Sequence, residues 1–377
     1  MKVAELRLED RIDLAAGWFL NSGIQSEEGG FYAWQDLKDK SHPYIYSEIT
    51  GYALTLMSFL YTVTKNELFI KKARHAAQWI LQDALDASGA VLTRKYLKDV
   101  VEHYSFERGN IYSFDCAMVA FGMLKLHKIT GEKDYLACAE KTIKFLNNRM
   151  AKDIGLYYPV FDTKKDNAYE SPEKWSTQSG SFHSKLALCL CELASVKKDN
   201  TYNEMAAKLI DSSIKNFYKD KRFITGMPEG TSHLHPYSYT LEGMLYYSYK
   251  LKTDKYKDVM RDAFGWLARF QQENGGFPTR ISGSGAIDIA HQRCDIQAQV
   301  LRLSHFIRSG SDNNKLLERL LSFQNVEQGS RGGFIYGSDQ DGARQNHSNS
   351  WCSMFALQAL YLAVGKINNS MVLEYII

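Results

Sequence analysis

Proline is scarce, at 6 of 377 residues, so little in the chain interrupts long helices. No stretch of about 18 apolar residues occurs, which excludes a transmembrane helix. Lysine and arginine are scattered and the net charge is only +3, which argues against a nucleic-acid partner. Cysteine is sparse. Cys116, Cys138, Cys189, Cys191, Cys294 and Cys352 fall mostly within helical patterns and read as small buried hydrophobes rather than a disulfide framework. The opening MKVAELRLEDRIDLAAGWFL carries acids inside its apolar run, unlike a secretory signal, so a reduced, cytoplasmic protein is expected. What is present is an ordinary globular balance of 45% apolar and 24% charged residues, which excludes a disordered chain. The 23 tyrosines, 19 phenylalanines and 6 tryptophans are enough to supply both core and ligand-facing surface.

The chain repeats itself. Five segments share one layout of helical run, short polar turn and second helical run, as in FDCAMVAFGMLKLHKIT-GEKDYLACAEKTIKFL. The aromatics after the turns, Phe69, Tyr135, Tyr202 and Tyr256, recur at roughly 55–67 residues. Two helices are left over, at about 5–22 and 347–365, and pairing them closes the series at about twelve helices in six hairpins. The first member of each pair is apolar nearly all round, as in SKLALCLCELA, and is expected to be buried on every side. The second is amphipathic and is expected to form an outer ring. Turns from inner to outer helices are short (TKNE, TGEKD, KKDN, KTDK). The return connections run to roughly 15–28 residues, a length that tends to carry function. Three of these connections open on the same turn, Gly29-Gly30-Phe31, Gly275-Gly276-Phe277 and Gly332-Gly333-Phe334, read here as left-handed glycine caps after outer helices.

Six α-hairpins, recurrent Gly-Gly-Phe turns and polar residues at the inner-helix starts resemble the six-hairpin (α/α)6 toroids. That class includes glycoside hydrolases, polysaccharide lyases and sugar epimerases. The resemblance implies an all-α domain spanning 1–377 with a funnel at the loop face. It points to no single family, and no catalytic residue is carried over from one.

Each inner helix is expected to aim its N-terminus at that funnel. The residues there are polar: Glu48, Asp115, His183, His233 and His235, Glu242, His291, Arg293 and Asp295, then Asp341, Arg344 and His347. Small polar residues cap helices, but His, Arg and Glu in the next turn are not needed for capping. Tyr46, Tyr112, Tyr237, Tyr239 and Trp351 are interleaved with them, and aromatic faces beside carboxylates and Arg suit a sugar. Loop cations at Arg94, Lys95, Arg108, Arg280, Arg293, Arg331 and Arg344 suggest an acidic glycan. Glycoside hydrolysis needs two carboxyl groups. Glu48, Asp115, Glu242, Asp295 and Asp341 are the candidates, with Asp115 and Asp295 leading. A uronate epimerase or lyase would instead use His235, His347 or a tyrosine as base, with Arg293 or another cation neutralising the carboxylate. A toroid that binds glycan without chemistry is the third reading. Isolated ligand types such as His291 with Cys294, or His347 with Cys352, do not form a recognisable zinc pattern, so no metal or cofactor is expected. The expected partner is a carbohydrate, and oligomeric state is left open.

Overall fold

In a computed structural model, residues 6–97, 109–307, 311–326, 331–337 and 345–377 are described. They contain α1 (Leu8–Asn21), α2 (Ser47–Thr64), α3 (Glu67–Trp79), α4 (Ser113–Thr130), α5 (Lys133–Phe145), α6 (Ala187–Lys197) and α7 (Thr201–Phe217). These are followed by α8 (Leu234–Leu251), α9 (Lys257–Ala268), α10 (Cys294–Phe306), α11 (Asn313–Leu321), α12 (Ser350–Val364) and the short α13 (Asn369–Glu374). The even-numbered helices form the inner ring. Each packs on the next, α2 on α4, α4 on α6, α6 on α8, α8 on α10 and α10 on α12, and α12 returns to α2. Helix α1 packs on α12, so the first and last hairpin partners close the circle as the repeat implies.

Helix pattern explains the layering. In α4 every residue from Ser113 to Leu126 is buried, whereas α3 buries Phe69, Ile70, Ala73, Ala76 and Ala77, one stripe at helical spacing. That stripe seats the outer helix on the inner ring. Burying a side chain as large as Phe69 contributes about 1.5–3 kcal/mol. No helix among the described residues is long and apolar enough to cross a membrane.

Three features differ from the sequence expectation. The long connections are not plain loops but carry short antiparallel strands, such as Tyr44–Tyr46 paired with Arg94–Tyr96. Segment His347–Asn349 is one of these strands, pairing with Trp34–Asp36, so α12 begins at Ser350 rather than near 347. The third inner helix opens as a 3-10 turn over Ser181–Leu186 before α6.

The glycine turns are not helix caps either. Helix α1 ends on Ser22 in a right-handed conformation, and Gly29 stands beyond it in a tight turn closed by the Gln25–Phe31 bridge. Its φ of 112° and its seat against the backbone carbonyl of His75 leave no room for a Cβ. Gly275 and Gly332 sit the same way against Lys315 and Leu14. Each turn therefore docks on the next outer helix around the ring. Each Phe then donates its backbone N–H to a side chain one turn into an inner helix: Phe31 to Thr50 at 2.9 Å, Phe277 to Gln297 at 2.7 Å and Phe334 to Ser353 at 2.8 Å.

Candidate functional site

The strands in the connections deliver the chain to the inner helices, so the first helical turns gather around one cavity of about 620 Å³. Glu48 and Asp115 come from the first turns of α2 and α4, Phe182 from the 3-10 turn, His235 and Tyr239 from α8, and Trp351 from α12. Register pairing of Tyr46 with Arg94 brings that guanidinium onto the same wall, 4.7 Å from the Tyr46 ring and 4.8 Å from the Tyr44 ring.

The wall built by α2 and α4 holds two carboxyl groups that resist ionisation. Burial raises the Glu48 carboxyl, and the nearby Tyr46 and Tyr52 hydroxyls, Lys185 and Arg94 bring it only partly back. Burial and then the charge of Glu48 push Asp115 well above the usual carboxylate range, against the pull of Arg94. Asp115 Oδ2 is buried and finds no hydrogen-bond partner among the described residues. Both carboxyls are thus harder to ionise than a free acid, Asp115 the more so because of the charge of Glu48.

Across the ring the chemistry is reversed. Burial raises Asp295, but Arg293 and His235 outweigh it, together with hydrogen bonds from Arg293 and Trp351, and hold the carboxyl below its ordinary value. Arg293 grips both of its oxygens, with Nε at 3.1 Å from Oδ1. Trp351 Nε1 donates to Oδ2 at 3.0 Å and the Ile296 N–H donates to Oδ1 at 2.8 Å. His235 Nδ1 lies 2.8 Å from Gln299 Oε1 and 3.3 Å from Asp295 Oδ2. Burial drives the His235 pKa down to about 3, so the ring is neutral near pH 7. With Nδ1–H donating to these acceptors, Nε2 carries the lone pair.

Beneath this layer, Glu242 pairs with Lys185 at 2.8 Å and with Arg302. Gln299 Nε2 reaches Glu242 at 3.4 Å, linking the buried ion pairs to His235. Lys185 Nζ also sits 4.1 Å from the Tyr239 ring centre.

The structure thus gathers Glu48, Asp115, His235, Tyr46, Tyr112, Tyr239, Arg293 and Trp351 on the cavity, with Asp295 held against three of them. Four other candidates stand elsewhere. Tyr237 lies two residues from His235, on the opposite side of α8. Its hydroxyl donates to the Ala263 carbonyl at 2.8 Å and its ring stacks on Trp266 of the outer helix α9. His183 is buried beneath the wall, 3.1 Å from Ser113 Oγ, because the 3-10 start turns Phe182 to the cavity instead. Glu242 is two turns below His235 and is wholly used in ion pairs. His347 is carried by its strand against Trp34 and Tyr336, at 5.1 and 5.6 Å between ring centres, and does not line the cavity. Arg108, Asp341 and Arg344 lie outside the described residues.

Sequence reading missed Trp175, Lys185, Gln299 and Arg302. Trp175 sits in a connection with no repeat signature. Lys185 and Arg302 did leave a signal, a long cation on a helix otherwise apolar all round, which must find a buried partner.

Comparison with known proteins places this geometry. The model of glycosyl hydrolase family 76 matches residues 13–222, more than half of the chain. The chain belongs to that family. Its match covers most of α1 and the three hairpins α2–α3, α4–α5 and α6–α7, including Glu48 and Asp115, while the remaining helices complete the ring. No curated protein matches the chain by sequence. Solved structures with the same fold include a D-mannose isomerase, 12% identical with a TM-score of 0.78, covering 96% of this chain and 97% of that one. A cellobiose 2-epimerase from Bacillus thermoamylovorans is 14% identical with a TM-score of 0.76, over 96% and 99%. An unsaturated glucuronyl hydrolase from a Bacillus species is 12% identical with a TM-score of 0.68, over 96% and 97%. The (α/α)6 toroid is common to all, and membership of family 76 makes this a carbohydrate-active enzyme of the glycosidase-like class.

Proposed function

We propose that the protein hydrolyses a glycosidic bond, with Asp115 as general acid and Glu48 as the carboxylate that activates water or attacks the anomeric carbon. The observation that carries this reading is the pair of buried carboxyls on α2 and α4, both shifted toward their protonated forms, facing a sugar-sized cavity in a family-76 chain. Burial and Glu48 make Asp115 hold its proton more tightly than a free carboxyl, and its Oδ2 has no hydrogen-bond partner among the described residues, which suits protonation of a leaving oxygen. Asp295, one of the two leading carboxylates by sequence, takes a different role. Its acceptor positions are filled by Arg293, Trp351 and the Ile296 N–H, so it fixes Arg293 and orients His235 rather than attacking substrate.

A second reading has one specific observation behind it. His235 is neutral, pinned at Nδ1 and lines the cavity, which suits a base that removes a carbon-bound proton in an epimerase or lyase. Incubation of the protein with an oligosaccharide panel in deuterated, ¹⁸O-labelled water separates the two. Hydrolysis yields new reducing ends carrying ¹⁸O with no carbon-bound deuterium. Deuterium at a ring carbon, or an unsaturated uronate, without hydrolytic cleavage overturns the hydrolase reading. Absence of all three with retained binding leaves a non-catalytic glycan receptor.

A further inference from the structure

The acids of the cavity sit on α2 and α4, and in a six-membered ring these face α8 and α10. The connections that lead into α8 and α10 bring cations to that far wall. Strand Ser232–His233 pairs with Arg280–Ile281 in antiparallel register, with His233 directly opposite Arg280. Residues directly opposite across two strands project from the same face, and both line the cavity. Arg293 joins them on the wall. Arg280 holds Asp288 through Nε, so the Nη side of its guanidinium stays available. His233 Nδ1 is buried and has no hydrogen-bond partner among the described residues. The indole of Trp175 lies 5.9 Å from the His233 ring, a flat apolar face beside the cations. Of the acidic groups at this end, Asp288 is held by Arg280 and Asp295 by Arg293, while Glu173 and Glu229 are exposed at the rim.

A neutral sugar offers nothing that calls for the open Nη side of a guanidinium beside an unpartnered imidazole and one aromatic face. A uronic acid does: its ring stacks on the indole while the carboxylate accepts from His233 Nδ1–H and from Arg280. We propose that His233, Arg280 and Trp175 form a subsite for the carboxylate of a uronic acid residue, so that the glycan is acidic. This rests on the reading of the cavity as a sugar site and adds the substrate class. The surroundings of His233 are consistent with it. Burial first, and then the guanidinium charges of Arg293 and Arg280, hold His233 well below its usual pKa, and a bound carboxylate offsets that positive charge.

The test is binding of D-glucuronic acid, its methyl ester and D-glucose to the whole protein at pH 7, by calorimetry or ligand-observed NMR. Rings and hydroxyls are shared, and only the acid carries charge. The expected result is a preference of about tenfold for glucuronate over the ester. His233→Gln removes that preference, and Arg280→Gln, at a half-exposed position where folding is not at risk, cuts it severalfold. Equal binding of acid and ester overturns the subsite but leaves the sugar cavity standing. A preference that survives both substitutions overturns the assignment to these residues. Failure of all three sugars to bind overturns the subsite together with the reading of the cavity.

Discussion

Two buried ionic clusters occupy opposite ends of one barrel, and only one of them is unbalanced. At the C-terminal ends of the inner helices, Lys125 on α4 meets Glu192 and Glu374 at 2.7 Å each, and Lys250 joins Glu192 at 2.9 Å. Lys128 holds Glu374 at 2.8 Å and the Tyr246 hydroxyl donates to Glu192 at 2.6 Å. Burial works against the Glu192 carboxylate, but Lys125 and Lys250 overcome it and bring its pKa down to about 2. Every charge there has its answer within the protein. At the loop face, burial raises two carboxyl groups, the charge of Glu48 lifts Asp115 further, and an oxygen of Asp115 has no hydrogen-bond partner among the described residues. A balanced buried cluster is architecture. A cluster with an unanswered group beside a cavity is where a ligand completes the arrangement.

Substitutions at the two ends test whether that difference is real. The largest effect is expected from Asp115→Asn, a fall in kcat of about 10³-fold with substrate binding retained, read from initial rates of reducing-end release. The same variant raises the melting temperature at pH 7. The folded protein holds a proton on Asp115 that the unfolded chain gives up, so stability drains away as pH rises from the unfolded pKa through the folded one. Glu192 has the opposite sign. Its stabilisation is complete above the unfolded value of 4.5 and disappears as pH falls through about 2.

Next comes Lys125→Met, which strands buried carboxylates and is expected to cost about 3–5 kcal/mol in urea unfolding while leaving turnover per folded molecule intact. Lost activity with unchanged stability would reverse the roles of the two ends. Glu48→Gln removes the charge that lifts Asp115. Because it also removes the carboxylate proposed to activate water or attack, kcat falls by about 10²-fold or more, and in the residual activity the high-pH limb of kcat/KM, along which the acid loses its proton, moves down by about one pH unit. An unmoved limb means that Glu48 does not act on Asp115. The smallest effect is expected from Tyr237→Phe. Loss of its hydrogen bond to Ala263 costs about 1 kcal/mol in unfolding and leaves kcat unchanged. A clear loss of rate there would return Tyr237 to the site.

Repeat length, all-round apolar helices such as α4 and α12, and the alternation of short and long connections made the toroid legible in sequence. So did the ring of first-turn polar residues, because helix starts in a repeat share one end of the barrel. Facing within a turn was not legible in the same way. His235 and Tyr237 differ by two positions and point to opposite sides, and a local 3-10 start exchanged His183 for Phe182. The strands in the connections left only two or three residues each, too short for an alternating pattern. Asp295 was read from the sequence as a leading catalytic carboxylate. Whether a buried carboxylate attacks or anchors depends on how many donors reach it, and Arg293, Trp351 and the Ile296 amide come together only in three dimensions.

The last Gly-Gly-Phe turn rests on the first helix, where Gly332 meets Leu14, and Gln324 joins Arg11 across 313 positions of chain. The segment that carries Gln324 and Gly332 must therefore be made before the circle can lock, and until then Glu48 and Asp115 stand on an open arc of hairpins. The same seam makes the molecule a natural candidate for circular permutation. Joining the present ends and cutting at Lys65-Asn66, on the side away from the cavity, would move the late-closing step to another hairpin pair without touching a residue that lines the funnel.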